Sequence, residues 1–468
     1  MTDLFERPTA MAGFKGQVLM TGDPGYDEAR RVFNGMFDRR PERIMRCSDT
    51  FDVIAAVNTA RQLGLPLSVY GGGHGVTGSA VVDGGICIDL RRLDQISVDP
   101  EARTVKVAAG ATWGAVDAAT QEHGLAVTGG RVSSTGVGGL ALGSGSGWLE
   151  RKLGFTCDNL VSAKVVTAAG KLVLADKRVN PDLFWGLRGG GGNFGIVTEF
   201  TFSLHEVGPI VLGGMLMYPA WAARDLVRFW RDFMTTAPDE VGSAVAFITA
   251  PPIDAVPEPV RGQPVVGVIV CYAGPVEEGR EVLAPLLEFG PPAVNLVQPM
   301  PYVAVQQLID DGNPKGMRNY WNADFLADLP DEAIDTLVAH GTRPVSPLSQ
   351  VILVAGGGAL ARVPEEATAF GQRTAPWNLH MLSMWPDPAA DEANIAHTRA
   401  MSAAMRPWAT GRVYLNFIGD EGPGRVEAAY GPEKYSQLQQ LKQVWDPDNV
   451  FCHNQNVAPR GIPVQPGP

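Results

Sequence analysis

Chemistry is suggested first by a histidine at the end of a tight glycine turn, Gly71-Gly72-Gly73-His74-Gly75. Three successive glycines leave backbone N–H groups uncovered and permit positive φ, so the loop can curl around a phosphate and present an imidazole beside it. That combination suggests a tethered cofactor. A second glycine-rich run contains Gly129, Gly130, Gly136, Gly138, Gly139, Gly143, Gly145 and Gly147, interleaved with Val137, Leu140, Ala141 and Leu142. It is too apolar for a solvated linker, and a ligand-cradling role is expected. It follows a predicted helix rather than a strand, which excludes a dinucleotide βαβ fingerprint, and it lacks the Gly-Lys-Ser/Thr of a Walker loop. Near the C-terminus, Tyr414 and Asn416 fall on one face of a predicted alternating strand at 412–418. A tyrosine acts as a general base only if its pKa of about 10 is depressed by a positive group or shared with another acid. Asn454, Gln455 and Asn456 place three amides after a turn, and Tyr320, Asn322 and Asp324 share a strand face that could line a pocket.

Elements that could position these groups can be read from the pattern. A helix is predicted over 50–63, with Thr50 or Asp52 as N-cap, Ile54, Val57, Ala60 and Leu63 on one face, and Gly64 as its stop. A short apolar strand at 67–69 then delivers the glycines. Strands at 86–90, 104–108, 161–168 and 196–204, with a helix at 112–122, make the first region α+β. After Gly208-Pro209 the texture changes: helices are predicted at 221–233, 276–289, 332–340 and 391–405, and strands at 265–272, 320–326 and 350–354. This pattern describes a sheet backed by helices. A final helix at 432–445 ends at Asp446-Pro447.

With 468 residues, the chain is long enough for two domains or one large two-lobed domain. It carries 45% apolar and 19% charged residues, with no apolar run long enough to span a bilayer, so no membrane segment is expected. Residues Met1 to Pro8 lack the basic-then-apolar order of a secretory signal, and the cytoplasm is the expected location. The net charge of −12 argues against nucleic acid or anionic lipid as the main partner. Cys47, Cys87, Cys157, Cys271 and Cys452 are odd in number and scattered, so buried free thiols are expected. The seven histidines show no metal-ligand spacing, and Gly143-Ser144-Gly145-Ser146-Gly147 is only superficially a nucleophile elbow, so neither a metal site nor acyl transfer is expected.

Several phrases together carry a family resemblance. Besides the two glycine runs they are Arg151-Lys152-Leu153-Gly154 with Asp158-Asn159-Leu160, the stretch from Asn180-Pro181-Asp182 through Gly189-Gly190-Gly191-Gly192-Asn193-Phe194-Gly195-Ile196-Val197-Thr198, Tyr414-Leu415-Asn416, and Asp446-Pro447-Asp448-Asn449. In this order and over nearly the whole chain, the sequence resembles the berberine bridge enzyme-like flavoproteins of the vanillyl-alcohol oxidase and p-cresol methylhydroxylase superfamily. The resemblance implies an α+β protein with an FAD-binding domain built from residues 1–206 and completed by 412–468, and a substrate domain of antiparallel sheet at 207–411. It implies that Gly71, Gly72, Gly73, His74 and Gly75 hold FAD, together with Val132, Ser133, Thr135, Gly136, Gly138, Gly139, Gly143 and Gly145. Gly195, Ile196 and Val197 would meet its adenine side, and Asn454 and Asn456 suit the flavin edge or the substrate domain's loops.

The resemblance further implies that His74 bonds the flavin 8α-methyl carbon. Many members carry a second anchor, a cysteine, where this chain has Val132, so a single covalent link through His74 is expected. Thr135 occupies the family's oxygen-gate position, where small side chains accompany oxidase activity; Tyr414 and Asn416 match its Tyr-x-Asn motif. The implied function is an FAD-dependent oxidase that takes a hydride from an alcohol, sugar, amine or secondary metabolite and reduces O2 to H2O2. Two alternatives stand beside it: an oxygenase of secondary metabolism working through a flavin-N5-oxide, and a flavin-binding protein without turnover.

Overall fold

The structure, a computed structural model, describes residues 13–419 and 421–462; the leader reading at Met1 to Pro8 lies outside them. Helix Thr50–Leu63 packs on a four-stranded sheet in which Arg43–Arg46 and Leu67–Tyr70 run parallel to Ile86–Asp89 between them, and Gln17–Leu19 pairs antiparallel at the edge. The helix begins at Asp49, not at Thr50 or Asp52, because the Asp49 carboxylate accepts from Asp52 N at 2.9 Å. The Asp52 carboxylate instead accepts from Lys15 N and Ser48 N. Its buried face is Val53, Ala56, Val57 and Ala60, whereas Leu63 is exposed.

A second, wholly antiparallel sheet of five strands runs in the order Ile96–Asp99, Thr104–Ala108, Ile196–Ser203, Leu160–Val166, Leu172–Asp176. The first glycine loop leaves the parallel sheet. The second follows a two-residue strand, Leu125–Ala126, that pairs with His205–Glu206, so it follows a strand rather than a helix directly.

The middle of the chain builds one eight-stranded antiparallel sheet. Three of its long strands, Ile210–Pro219, Val241–Thr249 and Trp377–Trp385, have no counterpart in the sequence reading. They are buried on both faces, which removes the alternation that would announce them. One face of this sheet packs Val245, Phe247, Val268 and Leu353 against Leu226, Trp230, Leu337 and Met401 of its helices. The other presents Ile269, Trp321, Ile352 and Leu382 toward Phe33, Val76 and Trp148 of the first region. Among the described residues no helix is long and apolar enough to cross a membrane. All five cysteines are free, and all but the half-buried Cys452 are buried.

Two further expectations are corrected. Residues 412–418 do not form a strand: Tyr414 is extended and Leu415–Phe417 is a single 3₁₀ turn closed by Phe417 N to Tyr414 O. The segment touches the neighbouring strand only through separate bonds, such as Phe325 N to Arg412 O and Gly419 N to Trp321 O. The face of Tyr320, Asn322 and Asp324 lies off the wall of the cavity between the glycine loops and the large sheet. Tyr320 meets Glu421 and Arg399, Asp324 meets Arg425 and Ser402, and Arg425 also donates to Asn322.

Candidate active site

The two glycine loops meet backbone to backbone. A Cβ at Gly72 would overlap the amide of Gly136, and one at Gly136 would overlap the amide of Gly72, so neither position has room for a side chain. Gly73 turns the first loop at φ 66°, a left-handed conformation that favours glycine. The second loop is pinned to the start of helix Trp113–Gln121 by Trp113 N to Thr135 O and Gly114 N to Ser133 O, each 2.9 Å. At Gly143 an added Cβ would strike the carboxamide of Asn416.

Between these loops and the eight-stranded sheet runs a cavity of about 340 Å³. Its wall brings together most of the residues expected from sequence: Gly71, Gly72, Gly73, His74, Gly75, Val132, Thr135, Gly136, Gly138, Gly139, Gly143, Gly195, Ile196, Val197, Tyr414, Asn416 and Asn454. Three expected residues lie off the wall. Ser133 gives its N–H and its hydroxyl to the Asp310 carboxylate at 2.8 and 2.5 Å. Gly145 faces the Thr156 hydroxyl, and Asn456 is buried behind the wall.

His74 stacks on Phe33 with ring centroids 4.0 Å apart. Its Nε2 is sealed from solvent and has no hydrogen-bond partner among the described residues. Burial, with the positive charge of Lys315 nearby, lowers its pKa to about 4, so the ring is a neutral imidazole at ordinary pH. The wall contains no Asp, Glu or Lys among the described residues, and Arg131 supplies its one guanidinium. These features fit FAD: glycine backbones without side chains beside a long cavity, no carboxylate to repel phosphates, and an uncharged nucleophilic nitrogen left unpaired.

Tyr414 is fully buried. Its phenol oxygen receives Ser146 N at 2.9 Å, Ser144 Oγ at 3.3 Å and Asn416 Nδ2 at 3.4 Å. Ser144 adopts φ 100°, a strained conformation for a residue with a side chain, at the point where its hydroxyl reaches Tyr414. Burial nevertheless pushes the phenol up to about 12, with Glu150 adding to the rise and the three donors opposing it. The depression that an easily formed phenolate requires is therefore not supplied by these neighbours.

Sequence reasoning did not place several wall residues. His453 lies on the wall with Nε2 3.0 Å from Val81 O. Asn193 receives Val457 N on Oδ1 and donates to Gly190 O, while its own carbonyl accepts from the buried Lys442. Lys442 is in turn paired with Asp446 at 2.8 Å. Trp321, Ile352, Leu382 and His380 come from the large sheet. The one sequence signal for His380 is a histidine inside an otherwise largely apolar nonamer, Trp377–Trp385.

Comparison with known proteins gives a consistent result. Residues 41–176 match the FAD binding domain family, and residues 413–458 match the family described as berberine and berberine like. An FAD-linked oxidoreductase of Dictyostelium discoideum is 30% identical over 412 residues, covering 87% of this chain and 86% of that protein. The (R)-6-hydroxynicotine oxidase of Paenarthrobacter nicotinovorans is 29% identical, with 96% of this chain and 97% of the relative aligned. Among solved structures, 6-hydroxy-D-nicotine oxidase from Arthrobacter nicotinovorans superposes with a TM-score of 0.86 at 27% identity, covering 96% of this chain and 99% of its own.

Proposed function

The chain belongs to the berberine bridge enzyme-like family of FAD-linked oxidoreductases, and from that premise we propose that it is an oxidase of a small organic substrate with FAD tethered through His74. Bound in the cavity, FAD would accept a hydride from the substrate and deliver two electrons to O2. The observation that carries the reading is the solvent-sealed Nε2 of His74 on the cavity wall, unpaired among the described residues, next to Gly72 and Gly73, which have no room for a side chain. Uncharged imidazole nitrogen is the form that can bond to carbon, and the low pKa of His74 keeps it in that form. With Val132 on the wall and Cys157 off it, neither provides a second thiol anchor.

In its phenolate form, favoured by the donors Ser146 N, Ser144 and Asn416, Tyr414 takes the proton that leaves the substrate heteroatom as the C–H hydride departs. Asn416 also donates to Leu140 O, which ties the catalytic turn to the glycine loop. Thr135 leaves a small side chain on the wall, which supports access of O2. The resting place of the enzyme is proposed to be the cytoplasm.

The test is acid precipitation of purified protein. Yellow chromophore is expected in the pellet of the wild type and in the supernatant of His74→Ala. Free FAD in the wild-type supernatant would remove the tether and leave the family assignment standing. Stoichiometric H2O2 per substrate turned over is expected; incorporation of an oxygen atom from labelled O2 into product would instead select the oxygenase alternative.

A further inference from the structure

The wall opposite the glycine cradle differs in chemistry from the cradle itself. Ile269, Ile352, Val354 and Leu382 present apolar branched side chains from the large sheet. Trp321 stacks on Phe417 at 5.5 Å, and Phe417 stacks on His380 at 4.1 Å, which lays a row of flat rings along one side. Polar groups at this end are few and mostly engaged. Gln350 Nε2 donates to Gly312 O and Asn313 Nδ2 to Ile309 O. The Arg131 guanidinium is held by Ser146 Oγ, Gly147 O and Glu150 and lies 4.8 Å over Trp148. His380, 2% exposed, lines the cavity, and its Nε2 has no partner among the described residues; Arg131 Nε and Trp148 Nε1 are also unpartnered, but they can only donate, whereas an imidazole nitrogen can accept.

Resting on the oxidase reading above, we infer that the substrate is a flat, uncharged aromatic molecule bearing a hydroxyl group, which packs against the Trp321 and Phe417 rings and hydrogen-bonds through that hydroxyl to His380 Nε2. A substrate cation would be desolvated on a wall without a carboxylate. A sugar would bring several hydroxyls to a largely apolar surface with few unengaged side-chain partners, and each unpaired group would weaken binding. An aromatic ring gains from the apolar wall and from ring contacts, and a single polar anchor fixes its orientation. Burial and the nearby Arg131 charge hold His380 neutral, so Nε2 can accept from or donate to a hydroxyl according to tautomer. His380 is thereby a substrate-binding residue on a strand that carries no recognisable motif.

The experiment titrates the FAD-loaded protein, without O2, and follows the flavin absorbance. The probes are 2-naphthol, naphthalene, 2-naphthylmethylamine and cellobiose. 2-Naphthol is expected to bind about tenfold tighter than naphthalene, the worth of one hydrogen bond, and tighter than the ammonium or the disaccharide. His380→Phe, which keeps a ring in the stack, should weaken 2-naphthol about tenfold and leave naphthalene unchanged. His380→Gln should retain the preference. Tighter binding of cellobiose or the amine, equal binding of 2-naphthol and naphthalene, or undiminished 2-naphthol binding by His380→Phe would overturn the inference. Should His380→Phe fail to fold, the wild-type ranking and His380→Gln still decide. A wild type that holds FAD, is reduced by dithionite and reoxidises in air while failing this ranking refutes the substrate class alone; a protein that cannot be loaded with FAD refutes the oxidase reading as well.

Discussion

The glycine cradle and the sheet wall face each other across one cavity, yet they are built on opposite principles. The cradle is backbone: Gly72 and Gly136 abut, Gly143 makes room for Asn416, and specificity resides in the absence of side chains. The wall is side chain: Ile269, Trp321, Ile352, His380 and Leu382 project from strands paired in one antiparallel sheet. Where its backbones abut, at Gly72 and Gly136, the cradle tolerates no side chain, and that prints itself on the sequence as glycine spacing. A side-chain wall can change its residues without changing the fold, and so can follow a substrate.

Tyr414 stands on the seam between them and carries the largest expected effect. Tyr414→Phe should lower kcat by about 10²- to 10⁴-fold, the usual worth of a positioned proton acceptor, with flavin content unchanged. The pH profile separates this from a packing effect. Because the phenol is pushed up to about 12, the neutral form dominates below that, and the proton-accepting fraction grows about tenfold per pH unit. Single-turnover flavin reduction should therefore accelerate as pH rises from 7 toward 10 in the wild type and stay flat in Tyr414→Phe. A flat wild-type profile would take Tyr414 out of proton transfer.

The cradle should break more sharply than the wall. Gly136→Ala forces a methyl onto the Gly72 amide, where only backbone could yield. We expect a loss of about 3 kcal/mol, toward the upper end for overpacking, seen as a lowered urea midpoint and flavin-poor protein. A Gly136→Ala protein with wild-type flavin content and midpoint would show that the loops can separate and that the cradle is not rigid.

That contrast also explains what could be read in advance. The cradle, helix Thr50–Leu63 and the paired helices and strands at 265–287 were legible because turns and caps are local signals. The strands Ile210–Pro219, Val241–Thr249 and Trp377–Trp385 were not, since burial on both faces leaves no alternation. The turn at Leu415–Phe417 read as a strand because Val413, Leu415 and Phe417 do alternate. Its conformation is set by distant partners instead: Gln455 donates to Leu415 O, and Asn416 to Leu140 O. Tyr414 and Asn416 line the cavity through a different backbone.

Where cradle and wall touch directly, the joint is a buried polar one, and it should make stability depend on pH. Gln306, on the short helix Tyr302–Gln306, donates to the Asp117 carboxylate at 3.0 Å and to Gly130 O of the cradle at 3.2 Å. Among the described residues Asp117 Oδ1, the Tyr302 hydroxyl and Gln306 Oε1 have no partners, and burial raises the Asp117 pKa to about 7 despite the Gln306 bond. A carboxyl whose folded pKa lies above its unfolded value of about 3.9 holds its proton more tightly when folded. Its contribution is fully present below about pH 4 and is lost as pH rises through about 7, at a slope of at most about 1.4 kcal/mol per unit. Asp117→Asn, which keeps the shape and cannot ionise, should flatten the fall of the urea midpoint between pH 4 and 7. An unchanged slope in that variant would mean that the carboxylate is accommodated when charged, and that cradle and wall are joined by hydrogen bonds indifferent to protonation.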